Sequence, residues 1–284
     1  MLSALHTIRD YPFDPGEPVF ARYPAMKFGD RASVRHFAGM LAPIALRRIA
    51  EAPPDRDWVL TSPPQRGLRC GANFVCDEVH AILAEALPGR RLALDPLRTA
   101  QTAPPFETEA EFRCYNDYSR QDVETRRLFR MGGDETYTYD LSNFAGRCCI
   151  FLNDINVTGT QLESMETILG SVVASLDFLL IVNVDPKIGR AFPFLESEIN
   201  LSKLSGLDEL ACHLRDGEFR CTGKLISRLM SHEAGEIEGL LAALDAEKRR
   251  AIHRAVLEEG LYGGAFFAPK MGVVARAARA ARTG

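Results

Sequence analysis

An open, mostly parallel α/β sheet with helices on both faces, extended by C-terminal helices, is the fold this sequence predicts. Two observations carry it. Short apolar runs that read as buried strands alternate with amphipathic helical stretches as far as Val184, and beyond about Pro193 only helical patterns remain. Alternation of that kind needs a parallel sheet covered on both faces. The expected division is a sheet domain over residues 1–197 and a helical extension over 198–284.

The elements follow in order. After a Pro-rich opening (Pro12, Pro15, Pro18, Pro24), Val34, Phe37, Leu41 and Ile44 fall three or four apart and predict a helix over about Arg31–Ala50, ended by Pro53-Pro54. Trp58–Ser62 reads as a short buried strand. A loop with Pro63, Pro64, Gly67 and Gly71 leads to a helix over about Asn73–Leu87, with Val75, Val79, Ile82, Leu83 and Ala86 as its stripe. Leu92–Leu97 makes the next strand. Thr99–Gly146 is polar, holds Pro104-Pro105 and Gly132-Gly133, and predicts a long connection without regular structure, either functional or disordered. The apolar run Arg147–Leu152 is a strand, Thr160–Ser175 a helix and Phe178–Val184 a further strand. Leu225–Leu244 and Ala246–Gly260 read as a helical pair. The tail with Arg276, Arg279 and Arg282 reads as a frayed, solvated helix.

Composition narrows the function classes. The chain has 284 residues, 46% hydrophobic and 25% charged, with a net charge of −4. That balance gives no electrostatic reason to expect nucleic acid or an anionic membrane as partner. No stretch approaches the ~20 apolar residues of a membrane span. Met1–Asp10 lacks the basic start and apolar core of a signal peptide, so the cytoplasm is the expected compartment. The seven cysteines form no C-x-x-C pair, and His232-Glu233 does not continue into H-E-x-x-H, so no zinc site is expected. No G-x-G-x-x-G follows a strand, and Gly217–Leu225 has the wrong glycine spacing for a P-loop.

The chemistry concentrates in Cys149–Gln161. A buried strand ends in polar and acidic residues, and a small-residue loop opens directly into a helix. That geometry exposes backbone N–H groups at a positive helix end, which suits a phosphate. Gly159 permits close backbone approach, and the Thr158 and Thr160 hydroxyls can add donors. Asp154, just beyond the strand, suits a sugar diol or, through water, a magnesium ion. The bland alternative is a strand, turn and capped helix with no ligand.

The stretch resembles the signature of type I phosphoribosyltransferases, which bind 5-phosphoribosyl-1-diphosphate (PRPP). The resemblance implies that Asn153 and Asp154 stand for the acidic pair that meets the ribose hydroxyls. Val157, Thr158, Gly159, Thr160 and Gln161 would hold the 5-phosphate. Asn153 for the first acid, Val157 for Thr or Asp and Gln161 for Thr are departures, which phosphate binding survives more easily than catalysis does. Three further segments are similar to ComF-like members of the superfamily. Tyr23–Asp30 resembles their Lys-aromatic-Gly opening, and Cys70-Gly71-Ala72-Asn73 their Arg-Gly-aromatic-Asn segment. Thr61-Ser62-Pro63-Pro64-Gln65 resembles their first strand and diphosphate loop, which makes Ser62, Pro63, Pro64 and Gln65 candidate diphosphate contacts. Large members associated with bacterial tellurium-resistance and stress operons are similar in carrying a C-terminal helical extension.

By the same resemblance, Thr99–Gly146 would contain a flap that closes over PRPP, with Arg120, Arg126 and Arg127 as candidate diphosphate ligands beside Arg113 and Arg130. For any one of them a solvated surface arginine is the commoner outcome. The implied activity is displacement of diphosphate from PRPP by a nitrogen nucleophile, assisted by Mg²⁺, in a protein compatible with a homodimer. The rival from another class is a non-catalytic PRPP or nucleotide sensor on the same fold. A DNA-uptake accessory gains nothing from the acidic net charge.

Overall fold

A computed structural model describes residues 1–64, 67–97, 105–116, 139–204 and 206–280. Its centre is a five-stranded, wholly parallel sheet of order β1-β5-β4-β2-β3, formed by β1 (Leu2–Ile8), β2 (Trp58–Thr61), β3 (Leu92–Leu94), β4 (Cys148–Asn156) and β5 (Ser175–Val184). Successive side chains of β2 and β4 enter different layers, as strand geometry requires. Trp58, Leu60, Cys148, Ile150 and Leu152 join the apolar cluster under α1 (Pro18–Lys27), α2 (Arg31–Glu51) and α3 (Gly71–Ala86). Val59, Cys149 and Phe151 point the other way, onto Phe144 and onto Met165 and Leu169 of α5 (Thr160–Leu169). This double burial is why both strands read as continuous apolar runs.

Several elements differ from the sequence expectation. β1 and α1 lie ahead of Arg31, where the sequence predicts no element beyond a Pro-rich opening. β1 is an edge strand held by β5, from Leu2 opposite Phe178 to Ile8 opposite Val184. In α1, Pro18 occupies the first turn, where its missing N–H costs nothing, and Pro24 lies inside the helix without ending it. Of the stripe expected on α3, Val75, Val79 and Leu83 are buried, whereas Ile82 faces solvent. β4 runs past Leu152 to Asn156, because Asn153, Ile155 and Asn156 continue the ladder with Leu180, Val182 and Asn183 of β5. The polar connection is not wholly irregular: α4 (Glu109–Asn116) forms within it.

After β5 come α6 (Pro186–Ala191), α7 (Leu195–Leu201), α8 (Leu207–Asp216), α9 (Gly223–Met230), α10 (Ala234–Ala242), α11 (Ala246–Glu259) and α12 (Ala268–Ala280). The helix expected over 225–244 is two, parted at Glu233, whose backbone N–H bonds Glu236 at 2.9 Å at the start of α10. Leu195 and Ile199 of α7 pack into the sheet's cluster. From Leu204 onward a second cluster forms, joined by Phe28 and by Phe112 of α4. The arginine-bearing tail is not frayed as far as Ala280. Val273, Val274 and Ala278 bury one face of α12, while Arg276 and Arg279 lie on the exposed side. Among the described residues no helix is long and apolar enough to cross a membrane.

Candidate active site

β2 and β4 are neighbours with Thr61 opposite Phe151, so the segments that follow them open side by side at the carboxyl end of the sheet. Ligands of open α/β sheets bind at that end. Ser62 and Pro63 leave β2 tied to the start of α3. Asn73 donates through Nδ2 to Ser62 Oγ and to the Pro63 carbonyl, each at 2.8 Å, and its Oδ1 accepts from the Cys70 amide at 2.7 Å. One buried side chain thus fixes the path of Ser62-Pro63 and the first turn of the next helix. Pro64 follows, and Gln65 lies outside the described residues, as do Arg120, Arg126, Arg127 and Arg130. Arg113 is described: it pairs with Glu109 one turn back on α4, as an exposed helix-surface arginine does.

The turn from β4 to α5 is built by short-range bonds. Asn156 Oδ1 accepts from the Gly159 amide at 3.0 Å, and Asn156 Nδ2 donates to Asn183 Oδ1 of β5 at 2.8 Å. Gly159 has φ +84°, a left-handed conformation that penalises any side chain. Packing is not the constraint there, since a Cβ would meet only Glu163 Oε1, at 3.7 Å. The Thr158 and Thr160 hydroxyls lie 2.9 Å apart. Gly159, the N-cap of α5, has no side chain with which to cap the first-turn N–H groups. Val157 is buried, and its carbonyl lies against Gly189 of α6, where a Cβ would stand 1.8 Å away.

Asn153 and Asp154 do not form a matched pair. Asn153 is turned inward: its Nδ2 donates to the Ile155 carbonyl at 3.0 Å and to Gln161 Oε1 at 3.1 Å. Two of the three departures from the family pattern are therefore bonded to each other. Asp154 is buried, accepts from the Ile155 amide through Oδ1 at 2.8 Å, and receives the Lys27 ammonium on Oδ2. Lys27 also reaches Glu196 Oε1 of α7 at 3.2 Å. Burial pulls the Lys27 ammonium down, but attraction to Asp154, with Tyr23 and Glu196, outweighs it and leaves the group well above its usual range. Tyr23, one helical turn before Lys27, is wholly buried, and its hydroxyl has no hydrogen-bond partner among the described residues. Burial first, and the Asp154 charge second, push that phenol well up.

Asp154, expected to meet a magnesium ion through water, is paired in this structure with Lys27. Lys27 supplies the positive charge on the carboxylate, so an ion that binds it directly would compete with the ammonium. Among the described residues no group of three or more His, Cys, Asp or Glu gathers. As described, Asp154 offers a metal a carboxylate already paired with Lys27.

Lys27 lies inside the Tyr23–Asp30 segment that carries the resemblance, but its partner Asp154 is 127 positions away, beyond any local pattern. Glu196 and Gly189 were missed. The local signal before Gly189 was Asp185-Pro186, an N-cap followed by proline, and Asp185 does cap α6 by accepting from the Lys187 amide at 2.8 Å.

A family model described as PRTase ComF-like matches residues 2–270. The chain belongs to the ComF-like phosphoribosyltransferase family. The match takes in the sheet, the β4–α5 turn and most of the helical extension. Comparison with curated proteins gives no match. Among solved structures it is similar to a hypoxanthine phosphoribosyltransferase from Staphylococcus aureus, at 12% identity and a TM-score of 0.32 over 55% of this chain. The alignment spans 65%, just under two thirds, of that chain. An adenine phosphoribosyltransferase from Leishmania donovani aligns at 11% identity and a TM-score of 0.31, over 63% of this chain and 84% of that one.

Proposed function

We propose that this ComF-like protein binds PRPP at the carboxyl ends of β2 and β4 and transfers its phosphoribosyl group to a nitrogen nucleophile. The observation that carries the reading is the β4–α5 turn, where a left-handed Gly159, two hydroxyls and a helix start without a side-chain cap converge beside a buried carboxylate. Phosphate in the turn would take the first N–H groups of α5 and the Thr158 and Thr160 hydroxyls. Asp154 would accept from the ribose hydroxyls, and Ser62-Pro63-Pro64 would face the diphosphate. Magnesium belongs to this proposal as the counter-ion that arrives with the diphosphate. The protein's part is to position the ribose and to exclude water while diphosphate departs.

A non-catalytic PRPP or nucleotide sensor is the second reading, favoured by one observation: Asn153 spends its amide inside the fold and offers no second acid to a ligand. Calorimetry with magnesium and PRPP tests the site, and diphosphate release in the presence of a panel of nucleobases separates transferase from sensor. Asp154→Asn is expected to weaken PRPP about tenfold or more, the cost of hydrogen bonds to a charged group, while inorganic phosphate binds as before. Unchanged PRPP affinity in that variant removes ribose recognition from Asp154.

A further inference from the structure

We infer that Lys27 is the positioning residue of the ribose site, holding the Asp154 carboxylate in the one orientation that can meet a vicinal diol. The inference deepens the proposed function and rests on its assignment of ribose to Asp154. Three observations carry it. The Lys27 ammonium and the Ile155 amide take one oxygen each of Asp154, which fixes both the plane and the charge of the carboxylate. Glu196 Oε1 accepts from the same ammonium at 3.2 Å and adds a second carboxylate that restrains Lys27. The buried Tyr23 hydroxyl, next to these charges, is unpartnered among the described residues.

The backbone under Lys27 is itself clamped, from both halves of the chain. Thr222 Oγ1, at the cap of α9, donates to the Lys27 carbonyl at 3.0 Å. The Arg220 amide donates to the Gly29 carbonyl, and the Arg31 amide to the Glu218 carbonyl, each at 2.9 Å. Gly29, at φ +90°, lies so close to Arg220 that a Cβ would stand 1.9 Å from its carbonyl oxygen. On the sheet side, Gly71 at the start of α3 abuts the Met26 carbonyl, which a Cβ would approach to 2.5 Å. A lysine meant only to neutralise a buried acid needs no such fixing of its main chain, whereas one that aims a ligand-binding oxygen does. The helical extension thereby enters the ribose site without touching the ligand.

The test is calorimetric titration of the full chain with ribose 5-phosphate, 2-deoxyribose 5-phosphate and inorganic phosphate. The wild type is expected to prefer the ribose compound about tenfold, through the diol. Lys27→Met is expected to erase that preference while inorganic phosphate binds with unchanged affinity, and Lys27→Arg to restore most of it. In an Asp154→Asn background, Lys27→Met should cause no further loss, because the two act through one carboxylate. If Lys27→Met does not fold, Lys27→Gln carries the same comparison. A wild type that prefers ribose, with the preference intact in the Met or Gln variant, overturns the inference and leaves the ribose assignment standing. Equal weakening of all three ligands, phosphate included, also overturns it, by showing a purely structural lysine. A wild type without preference removes the ribose assignment and this inference together.

Discussion

Asn153 and Gln161 hold each other across the turn between β4 and α5, and that bond decides what restoring the family's acid would do. Asn153 is 1% exposed and donates to a carbonyl, which a carboxylate cannot do. Asn153→Asp is therefore expected to cost about 2 kcal/mol or more through an unsatisfied buried charge, without tightening PRPP. Equilibrium unfolding in urea and PRPP titration check the two halves of that statement. Glu163 sets a second expectation. It is an acidic residue in the first turn of α5, close to Gly159, where a dianionic phosphate would sit. Glu163→Gln should tighten inorganic phosphate about two- to fivefold, the scale of one charge at a helix start, as read by calorimetry at low salt. Asn153 and Gln161 were each legible as departures from the motif. Their bond was not, because it spans eight positions across a turn whose path only the folded backbone defines.

At the scale of elements, Asn73 turns a loop into a defined one. Its three bonds join the end of β2 to the start of α3, so Asn73→Ala leaves the Cys70 amide, the Ser62 hydroxyl and the Pro63 carbonyl without it. A loss of about 2 kcal/mol is expected, seen as a lower midpoint in denaturant. The strands β2 and β4, with the helices α2, α3 and α5 around them, were readable because their apolar spacing reflects burial on the sheet. β1 and α1 were not. β1 carries His6 and Thr7 and owes its strand state to β5, and α1 is crossed by Pro24, ordinarily a breaker. Part of the polar connection likewise becomes ordered by contacts the local pattern does not encode: Phe106 donates its amide to the Leu261 carbonyl at 2.9 Å, and Phe112 enters the cluster of the helical extension.

At the scale of the molecule, the sheet and the extension meet at Glu259 as well as at Lys27. Glu259, the last residue of α11, accepts from the Leu68 amide at 2.6 Å, beside the loop that follows β2. Burial raises its carboxyl above the ordinary 4.5, with the Leu68 bond opposing. The folded state thus holds this proton more tightly than the unfolded chain. The group's stabilisation is complete below about pH 4.5 and is lost as pH rises through the raised value. Glu259→Gln should therefore melt higher than wild type at about pH 8, with the advantage vanishing near pH 4, in parallel thermal scans. That the C-terminal residues form helices was legible from their periodicity. That they would grip Lys27–Arg31 and Leu68 was not, since these contacts join positions nearly two hundred residues apart.

The pairing of β1 with β5 also bears on how the chain is made. β1 leaves the ribosome before the other strands of its sheet, and its partner β5 is completed only at Val184. At roughly 5–20 residues per second, that interval lasts on the order of ten seconds or more. Throughout it the nascent chain carries the β1 segment without its pairing partner, and unpaired backbone of that kind recruits chaperones or strays into wrong pairings. A ribosome stalled shortly before Val184 would hold the chain in that state.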